Sequence, residues 1–380
     1  MNLLEHQGKW LLSRWGIPVP QGRVADSRED AITILEELRG KAVLKIQVPV
    51  GGRGKAGGIK VVDNPESVDA FFKIWDGTTF KGYPISAFLV EEPLVIDKEM
   101  YMSVTLNAQA GNMLFMFCEE GGVDIEEIAV QKPEKLLKLS LAPNITYREY
   151  HFRRALSEYG IKGAALIKLS QLAEKLYRCF INNDLFLAEI NPLVVLANGE
   201  VIAADAKIEV DDSSLFRHEE LKSFKVESTE PLERESADIG VTYIKLDGDI
   251  GIIASGAGLS MNTMDLAYEA GYRPANFLET GGGITRELMR RSLLLVTKNE
   301  AVRAVIVNLY GGVNPLVEAA KGLADGKKEL TRQVPMVVKA MGNQQEECWR
   351  ILEEADIPVI KNHRTEDAVQ YVKGMLEVVN

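Results

Sequence analysis

Residues 45–58 read Lys-Ile-Gln-Val-Pro-Val-Gly-Gly-Arg-Gly-Lys-Ala-Gly-Gly, and this stretch decides how the first half of the chain is interpreted. Lys45 ends an apolar stretch that predicts a strand, and five glycines follow within the eight residues Gly51 to Gly58. A backbone so rich in glycine can approach a phosphate closely and direct N–H groups at it. Arg53 and Lys55 add positive charge, and an arginine can hold a phosphate with two hydrogen bonds. The stretch therefore predicts a phosphate-binding loop at Gly51, Gly52, Arg53 and Gly54.

Two common phosphate motifs do not fit this loop. It has neither the P-loop pattern nor the GxGxxG pattern of dinucleotide-binding folds, so neither mechanism is implied. The alternative for the loop taken by itself is a glycine-rich hairpin with solvated charges, because such loops are common turns.

A second group of polar residues lies near the end of the first half. Glu189 and Asn191 are two positions apart, so strand alternation places them on one face, and a hairpin would bring Asp205 beside them. A carboxylate and an amide oxygen suit Mg²⁺, which takes one or two carboxylates together with substrate phosphates. Glu91 and Glu99 form another acidic pair around a strand end. The alternatives are solvated charges at strand ends and a turn at Asn191-Pro192.

The polar segment Lys225 to Ser236, which contains Pro231, predicts a linker between two domains. Before it, helices and strands are mixed. An N-terminal helix is expected, with Asn2 as its cap and Glu5 completing a capping box. The other predicted elements are strands at 41–48, 87–91, 113–118, 186–190 and 201–206, the last two joined by a turn at Asn198-Gly199, and a helix at 163–181.

After the linker, short apolar strands at 250–254, 303–309, 336–339 and 358–360 alternate with helical segments. This alternation predicts a doubly wound parallel sheet, whose ligands lie beyond the carboxyl ends of the strands. Glycine-rich loops occur at those ends, at 255–258, 311–314 and 341–343, and a fourth glycine cluster stands at 281–283.

Composition excludes several classes of protein. The net charge is −11, from 55 acidic and 44 basic residues, and a nucleic-acid or membrane-surface partner is not expected without a basic patch. The three cysteines are far apart and predict free thiols in a reducing compartment. Neither a signal peptide nor an apolar run of roughly 18 residues is found, so a cytoplasmic location is expected.

The chain resembles the ATP-grasp β subunits of the succinyl-CoA synthetase family over nearly its whole length. The residues that carry the resemblance are the Asn2-Leu3 helix start, 51–58, 120–126, 189–193, 215–217, 246–248, 256–259, 274–277 and 281–283. The resemblance implies an α/β protein with an N-terminal ATP-grasp fold of two α+β subdomains, followed by a flavodoxin-like CoA-ligase domain. We expect domains at 1–232, with a subdomain inserted at about 21–95, and at 238–380.

The same resemblance implies roles for the singled-out residues. Lys45 and Arg53 would contact the phosphates of ATP or ADP, with GTP and GDP as alternatives. Glu91 would lie at the adenine and Glu99 at the ribose. Asn191 and Asp205 would hold Mg²⁺. Glu189 would steady a phosphohistidine that belongs to the α subunit.

In the second half, the resemblance implies that the Gly311-Gly312 loop opens a helix directed at the phosphohistidine and the acid substrate. A helix N-terminus is a natural anion site, which supports this role independently. The four histidines, His6, His151, His218 and His363, lie outside the glycine-rich loops. The relay histidine and most CoA contacts are therefore expected on the partner α subunit.

Two departures from the family pattern occur at the expected acid site, which comprises Ser255, Gly311, Gly312, Val313 and Asn314. The family usually has Asn where this chain has Ser255. It usually has an Arg-Cys-Asp run after Gly-Gly-Ile and one variable residue, where this chain reads Gly-Gly-Val-Asn-Pro-Leu-Val. Pro315 suits the first turn of a helix.

The expected function is the β subunit of a heteromeric acid–CoA ligase, with succinate as the first candidate acid. The lost arginine and aspartate leave two explanations open, a different carboxylate of the malate or citrate type, or a changed α-subunit contact. Two other classes are alternatives: a self-contained carboxylate–amine ligase, and a nucleotide-binding subunit without activity. The CoA-ligase-like second half and the histidine positions disfavour the first, and the retained phosphate and metal residues disfavour the second.

Overall fold

The first half of the chain forms two large antiparallel sheets covered by helices, together with the short antiparallel pair Thr79–Phe80 and Tyr83–Pro84. The computed structural model describes residues 1–85, 87–225 and 230–379, and the chain divides into two units, Met1–Lys225 and Val226–Asn380. The helices of the first unit are α1 Glu5–Arg14, α2 Arg28–Glu37, α3 Pro65–Trp75, α4 Ile125–Gln131, α5 Glu149–Tyr159, α6 Gly163–Asn182 and α7 Glu219–Lys222. Its strands are β1 Gly22–Ala25, β2 Ala42–Ile46, β3 Ile59–Val62, β4 Thr79–Phe80, β5 Tyr83–Pro84, β6 Phe88–Glu91, β7 Ile96–Asn107, β8 Asn112–Cys118, β9 Leu137–Leu141, β10 Leu185–Leu196, β11 Val201–Ala203 and β12 Lys207–Val210.

The smaller of the two large sheets has the order β1-β6-β2-β3 with antiparallel pairs throughout. Ala42, Leu44 and Ile46 of β2 are fully buried beneath α2 and α3. Helix α3 begins at an Asn64 side chain that accepts a hydrogen bond from Ser67 N at 2.8 Å, which satisfies one free N–H of the first turn. This sheet places Lys45 beside Leu89 of β6, at the start of the glycine-rich loop.

The larger sheet has the order β11-β10-β7-β8-β9, and β12 also pairs with β10. Helix α6 packs an apolar stripe on it, with Leu169, Leu172 and Leu176 buried at helical spacing. Strand β10 runs from Leu185 to Leu196 and passes through a cis Asn191-Pro192 bond, which lies where the register to β7 shifts.

The second unit is a single sheet with helices on both faces. Its helices are α8 Pro231–Ile239, α9 Ala257–Glu269, α10 Arg286–Lys298, α11 Leu316–Glu329, α12 Gln345–Glu354 and α13 Thr365–Val379, and its strands are β13 Thr242–Lys245, β14 Ile250–Ala254, β15 Asn276–Glu279, β16 Ala304–Gly311, β17 Met336–Gly342 and β18 Val359–Ile360. The order is β13-β15-β14-β16-β17-β18, parallel except for the β13 edge. Separate apolar clusters lie on the two faces, so the predicted doubly wound sheet is confirmed.

Most predicted elements are present, with ends that move by a few residues, but the expected cap of α1 and the expected extent of the strand at 201–206 are wrong. Asn2 does not cap α1; the helix begins after Leu4, whose N–H donates to Gln7 Oε1 at 2.9 Å, while Asn2 bridges to Glu209. The alternative of a turn at Asn191-Pro192 does not hold, because both residues lie within strand β10. The strand expected over 201–206 ends at Ala203, and a second strand starts at Lys207.

The predicted linker is only partly described. Residues 226–229 lie outside the described part of the chain, and Pro231–Ile239 is a helix, so the expectation of irregular structure up to Ser236 is wrong there. Pro231 occupies the first turn, where its missing N–H costs no hydrogen bond.

Cys118, Cys179 and Cys348 are buried free thiols. Within the described ranges, no helix combines the length and apolar character that crossing a bilayer requires.

Candidate nucleotide and acid sites

A cavity of about 210 Å³ in the first unit brings the two sequence motifs together. Its lining includes Gly51, Gly52 and Arg53 of the glycine-rich loop, and Glu189, Asn191 and Asp205 of the larger sheet and the turn after β11. The smaller sheet presents the loop, and the larger sheet presents the carboxylates and the amide. Residues more than 130 positions apart in the sequence therefore face one space.

The glycine-rich loop needs glycine for two different reasons. Gly52 has φ of 90°, a left-handed conformation that other residues adopt at a cost. At Gly58 the cause is packing, because a Cβ atom would lie 2.6 Å from Ile46 Cδ1. Between them, Gly54–Ala56 form a single 3₁₀ turn. The loop is thus held against β2 and brings Arg53 back beneath it.

Behind the cavity wall lies a buried cluster of charges. Lys45 Nζ donates to Glu5 Oε1 at 2.7 Å, to Ala204 O at 2.8 Å and pairs with Glu91 Oε2 at 2.9 Å. Arg53 pairs with Glu5 Oε2 at 2.5 Å and with both oxygens of Asp205 at 3.1 Å.

Lys9, one helical turn after Glu5, completes this cluster. Its Nζ lies 2.7 Å from Glu5 Oε1 and donates to the two Glu91 oxygens at 2.6 and 2.7 Å. Three cations and three carboxylates thus neutralise one another in the interior, as buried charges require.

The pKa values of the cluster follow from burial and pairing. Burial alone would raise the pKa of Glu5, but Lys45, Lys9 and Arg53 outweigh it and hold the pKa far below the usual range. Burial would lower the pKa of Lys45, yet Glu5, Glu91 and Asp205 raise it. For Asp205, burial and the neighbouring Glu5 raise the pKa. Glu5 and Lys45 are therefore both ionised around neutral pH.

Glu189 is positioned by its neighbours on adjacent strands. Its backbone pairs with Ser103 of β7 on one side and Lys207 of β12 on the other. Tyr101 Oη lies 3.4 Å from Glu189 Oε2 and 2.9 Å from Ser103 Oγ, so its single proton can be donated to the carboxylate while the serine hydroxyl donates to it. Burial raises the pKa of Glu189, and the nearby Lys207 opposes that rise. A carboxylate with these neighbours can accept a hydrogen bond from a group that enters the cavity.

Asn191 and Asp205 both line the cavity but are engaged with the chain. Asn191 Oδ1 accepts from Gly122 N at 2.8 Å, and Asp205 is paired with Arg53. No group of three His, Cys, Asp or Glu able to hold a metal occurs in the described ranges. One carboxylate and one amide oxygen facing the same space nevertheless fit Mg²⁺, which draws its remaining ligands from phosphates and water.

The other predicted nucleotide residues do not line this cavity. The Glu91 carboxylate is buried on Lys9 and Lys45. Glu99 is exposed in β7, near the Gly121-Gly122 turn. Gly54 begins the 3₁₀ turn of the loop.

Sequence reasoning missed Glu5 and Lys9 as site residues. It assigned Glu5 to helix capping, whereas the side chain is only 2% exposed. The available signal was a Glu and a Lys four positions apart on the face of α1 that carries its buried residues.

A second cavity, of about 460 Å³, lies in the second unit. It is lined by Ser255, Gly256, Gly281, Gly282, Ile284, Tyr310, Gly312, Val313 and Asn314. Four of the five predicted acid-site residues are therefore together. Gly311 is the exception, because it ends β16 and packs against Asn314 and Leu316.

Two helices begin beside this cavity. Helix α9 starts after Gly256 and α11 after Pro315, and neither first turn is capped by a side chain. Ser255 Oγ accepts a hydrogen bond from Tyr310 N at 2.7 Å, which joins the two loops. Such helix starts present N–H groups to an anion. None of the four histidines is among the described lining residues of either cavity.

Comparison with known proteins identifies both units. The family model of the ATP-grasp domain matches residues 2–195, and that of CoA-ligase matches residues 253–372. The chain is 42% identical over 354 residues to the β subunit of GDP-forming succinate–CoA ligase from Thermus thermophilus, covering 93% of each chain. It is 40% identical over 355 residues to the ADP-forming β subunit from Rubrobacter xylanophilus, again covering 93% of each.

A solved structure shows the same fold at low sequence identity. ATP citrate lyase from Methanothrix soehngenii, in complex with citrate and coenzyme A, aligns with a TM-score of 0.78 and 15% identity over 99% of each chain. The predicted ATP-grasp fold followed by a CoA-ligase domain is thereby confirmed.

Proposed function

Because the chain belongs to the family of succinate–CoA ligase β subunits, we propose that its first unit binds a Mg-nucleotide and exchanges a phosphoryl group with a phosphohistidine of the α subunit. This exchange couples ATP hydrolysis or synthesis to formation or cleavage of an acyl-CoA. The observation that carries the proposal is the cavity that collects Arg53, Glu189, Asn191 and Asp205 from separate strands and loops.

In this mechanism the residues of the chain hold the phosphates and the histidine ring in position and compensate the negative charge of the phosphates, as is usual for phosphoryl transfer. Lys45 and Arg53 bind the phosphates, while Gly51, Gly52 and Gly54 let the backbone come close. Glu189 holds the incoming histidine ring by accepting a hydrogen bond. Asn191 and Asp205 would hold Mg²⁺, which would neutralise part of the phosphate charge when bound.

The boundaries of the two functional parts are also proposed. The nucleotide-binding domain is residues 1–232, with the smaller sheet of 21–95 as its inserted subdomain, and the CoA-ligase domain is 238–380. Glu91 and Glu99 serve the adenine and the ribose. The α subunit supplies the histidine and most of the CoA site. The buried free thiols support a reducing, cytoplasmic compartment.

For the acid, succinate is the first candidate, since the relatives named above are called succinate–CoA ligases. The site would comprise Ser255, Gly311, Gly312, Val313 and Asn314. Its described cavity lining holds neutral side chains and glycines, so the acid's charge would rest on backbone N–H groups at the starts of α9 and α11, which have no side-chain cap. A malate- or citrate-type acid is the second candidate, because neutral Asn314 stands in the loop that lost the family's arginine and aspartate.

The test is an assay of CoA-dependent ADP or GDP release by the full-length chain co-expressed with its α subunit. Succinate, malate, citrate and acetate are compared, each with ATP and GTP. We expect turnover with succinate and ATP, and a Ser255→Asn variant that keeps this preference. Turnover only with another acid would contradict succinate, and nucleotide binding without any turnover would favour a non-catalytic subunit.

A further inference from the structure

The buried charge cluster poses a problem for phosphate binding. Lys45 Nζ already has three close acceptors, which are Glu5, Glu91 and the carbonyl of Ala204. Arg53 is occupied by Glu5, Asp205 and Ile46 O. A nucleotide phosphate would therefore compete with these acceptors for both cations.

Glu5 is the acceptor that Lys45 and Arg53 share. One of its oxygens lies 2.7 Å from Lys45 Nζ and the other 2.5 Å from an Arg53 nitrogen. A carboxylate between two cations occupies the position that a bridging phosphate oxygen would need. Glu5 also lines the cavity, whereas Glu91 does not.

Glu5 is attached to one sheet of the first unit, and Lys45 and Arg53, which it contacts, belong to the other. Residues before α1 are tied to the larger sheet, where Leu3 N donates to Ile208 O at 3.0 Å. Lys45 and Arg53 belong to the smaller sheet and its loop. The Glu5 contacts therefore hold the smaller sheet's cations toward the larger sheet.

We propose that Glu5 is an internal counter-anion that competes with the nucleotide phosphates for Lys45 and Arg53, and that Lys9 retains Glu5 when the phosphates displace it. This inference rests on the proposed nucleotide site and adds a positioning pair to it. Lys9 suits the role because it contacts both Glu5 and Glu91 and is itself only 4% exposed. Without Lys9, a displaced Glu5 would be a buried and unpaired charge.

The test measures the Kd of MgADP by calorimetry on the full-length chain in complex with its α subunit. Glu5→Gln removes the competing charge, so binding should tighten by about tenfold. Lys9→Gln should weaken binding by about tenfold, because Glu5 then stays on Lys45 and Arg53. The double variant restores a neutral cluster and should lie near the wild-type value. Glu66→Gln, which changes an exposed carboxylate by the same charge, should not alter the Kd.

Each outcome separates the counter-anion role from a merely structural one. A structural Glu5 predicts weaker binding for Glu5→Gln, and equal or weaker binding in a folded variant overturns the inference. Where Glu5→Gln fails to fold, Glu5→Asp serves instead. Aspartate keeps the negative charge, but its shorter side chain should hold Lys45 and Arg53 more weakly. Tighter MgADP binding by Glu5→Asp therefore supports the inference, and unchanged binding overturns it. A folded wild-type complex that binds no MgADP overturns the proposed function and this inference together.

Discussion

The two cavities differ in the groups that would receive an anion. The cavity of the first unit is lined by ionisable side chains, among them Glu5, Arg53, Glu189 and Asp205. The cavity of the second unit has no Asp, Glu, Lys or Arg among its described lining residues and lies beside the starts of two helices. One site offers side-chain charge, and the other offers backbone N–H groups.

This difference has a physical consequence. Buried side-chain cations require counter-ions when the ligand is absent, and the first unit provides Glu5, Glu91 and Asp205 for that purpose. Helix starts carry partial charge without a counter-ion. The first site should therefore respond strongly to charge changes, and the second should respond mainly to changes of shape.

Lys45→Met should give the largest effect on activity. The change removes a cation from the proposed phosphate site and leaves Glu5 and Glu91 with one partner fewer. Loss of a preorganised charge at a reacting phosphate lowers kcat by at least about 100-fold. The measurement is turnover of the reconstituted complex with its preferred acid.

Lys60→Met is the matched control for that variant. Lys60 is an exposed lysine of the neighbouring strand β3, outside the glycine-rich loop, so turnover should change little. Near-wild-type turnover in a folded Lys45→Met complex would show that Lys45 does not bind the phosphates. The proposed difference between the two cavities would then be wrong.

Local patterns predicted the fold well because they depend on near neighbours in the sequence. The apolar strand ending at Lys45, the glycines after it and the strand–helix alternation of the second unit each have a local physical cause. They predicted β2, the loop, and strands β14, β16 and β17 with ends close to those observed.

The contacts of Glu5 could not be predicted in the same way. An acidic residue in the first turn of a helix is favourable in itself, and sequence spacing gives no sign of cations 40 and 48 positions away. Similarly, Gly311 looks like a loop glycine in the sequence, but in the structure it packs against Asn314 and Leu316. Long-range packing decided both cases.

Substituting a glycine in each unit should have an effect of intermediate size. The two variants compare a glycine required for packing with a glycine that lines the second cavity. Gly58→Ala would push a Cβ atom to 2.6 Å from Ile46 Cδ1, so overpacking should lower the free energy of unfolding by about 1–3 kcal/mol. Gly282→Ala meets no atom within 4 Å and should change stability by less than about 0.5 kcal/mol. Because Gly282 lines the second cavity, that variant should instead lower kcat/KM for the acid.

Urea unfolding and steady-state kinetics on both variants separate the two expectations. Equal stability of Gly58→Ala and wild type would show that the loop relaxes around Ile46. A large loss of stability in Gly282→Ala would mean that this glycine serves packing, as Gly58 does.

The comparison extends to a buried lysine of the second unit. Lys339 is 5% exposed and donates to Asn308 Oδ1 at 3.1 Å. Burial lowers its pKa, and the attraction of Glu366 only partly opposes this. Lys45 has close carboxylate partners and a raised pKa instead.

The lowered pKa of Lys339 predicts the smallest effect, which is a change of folding stability with pH. The sign of this change follows from the direction of the pKa shift. The unfolded chain holds this proton up to about pH 10.5, whereas the folded chain releases it at a lower pH. Over that interval the unfolded state binds more protons, so the wild type gains stability as pH rises, at up to about 1.4 kcal/mol per pH unit. Lys339→Met lacks this gain, so urea unfolding from pH 7 to 10 should show the wild type improving relative to the variant. Lys328→Met, at a lysine 77% exposed, should run parallel to the wild type; a parallel course for Lys339→Met as well would mean that Lys339 keeps its proton.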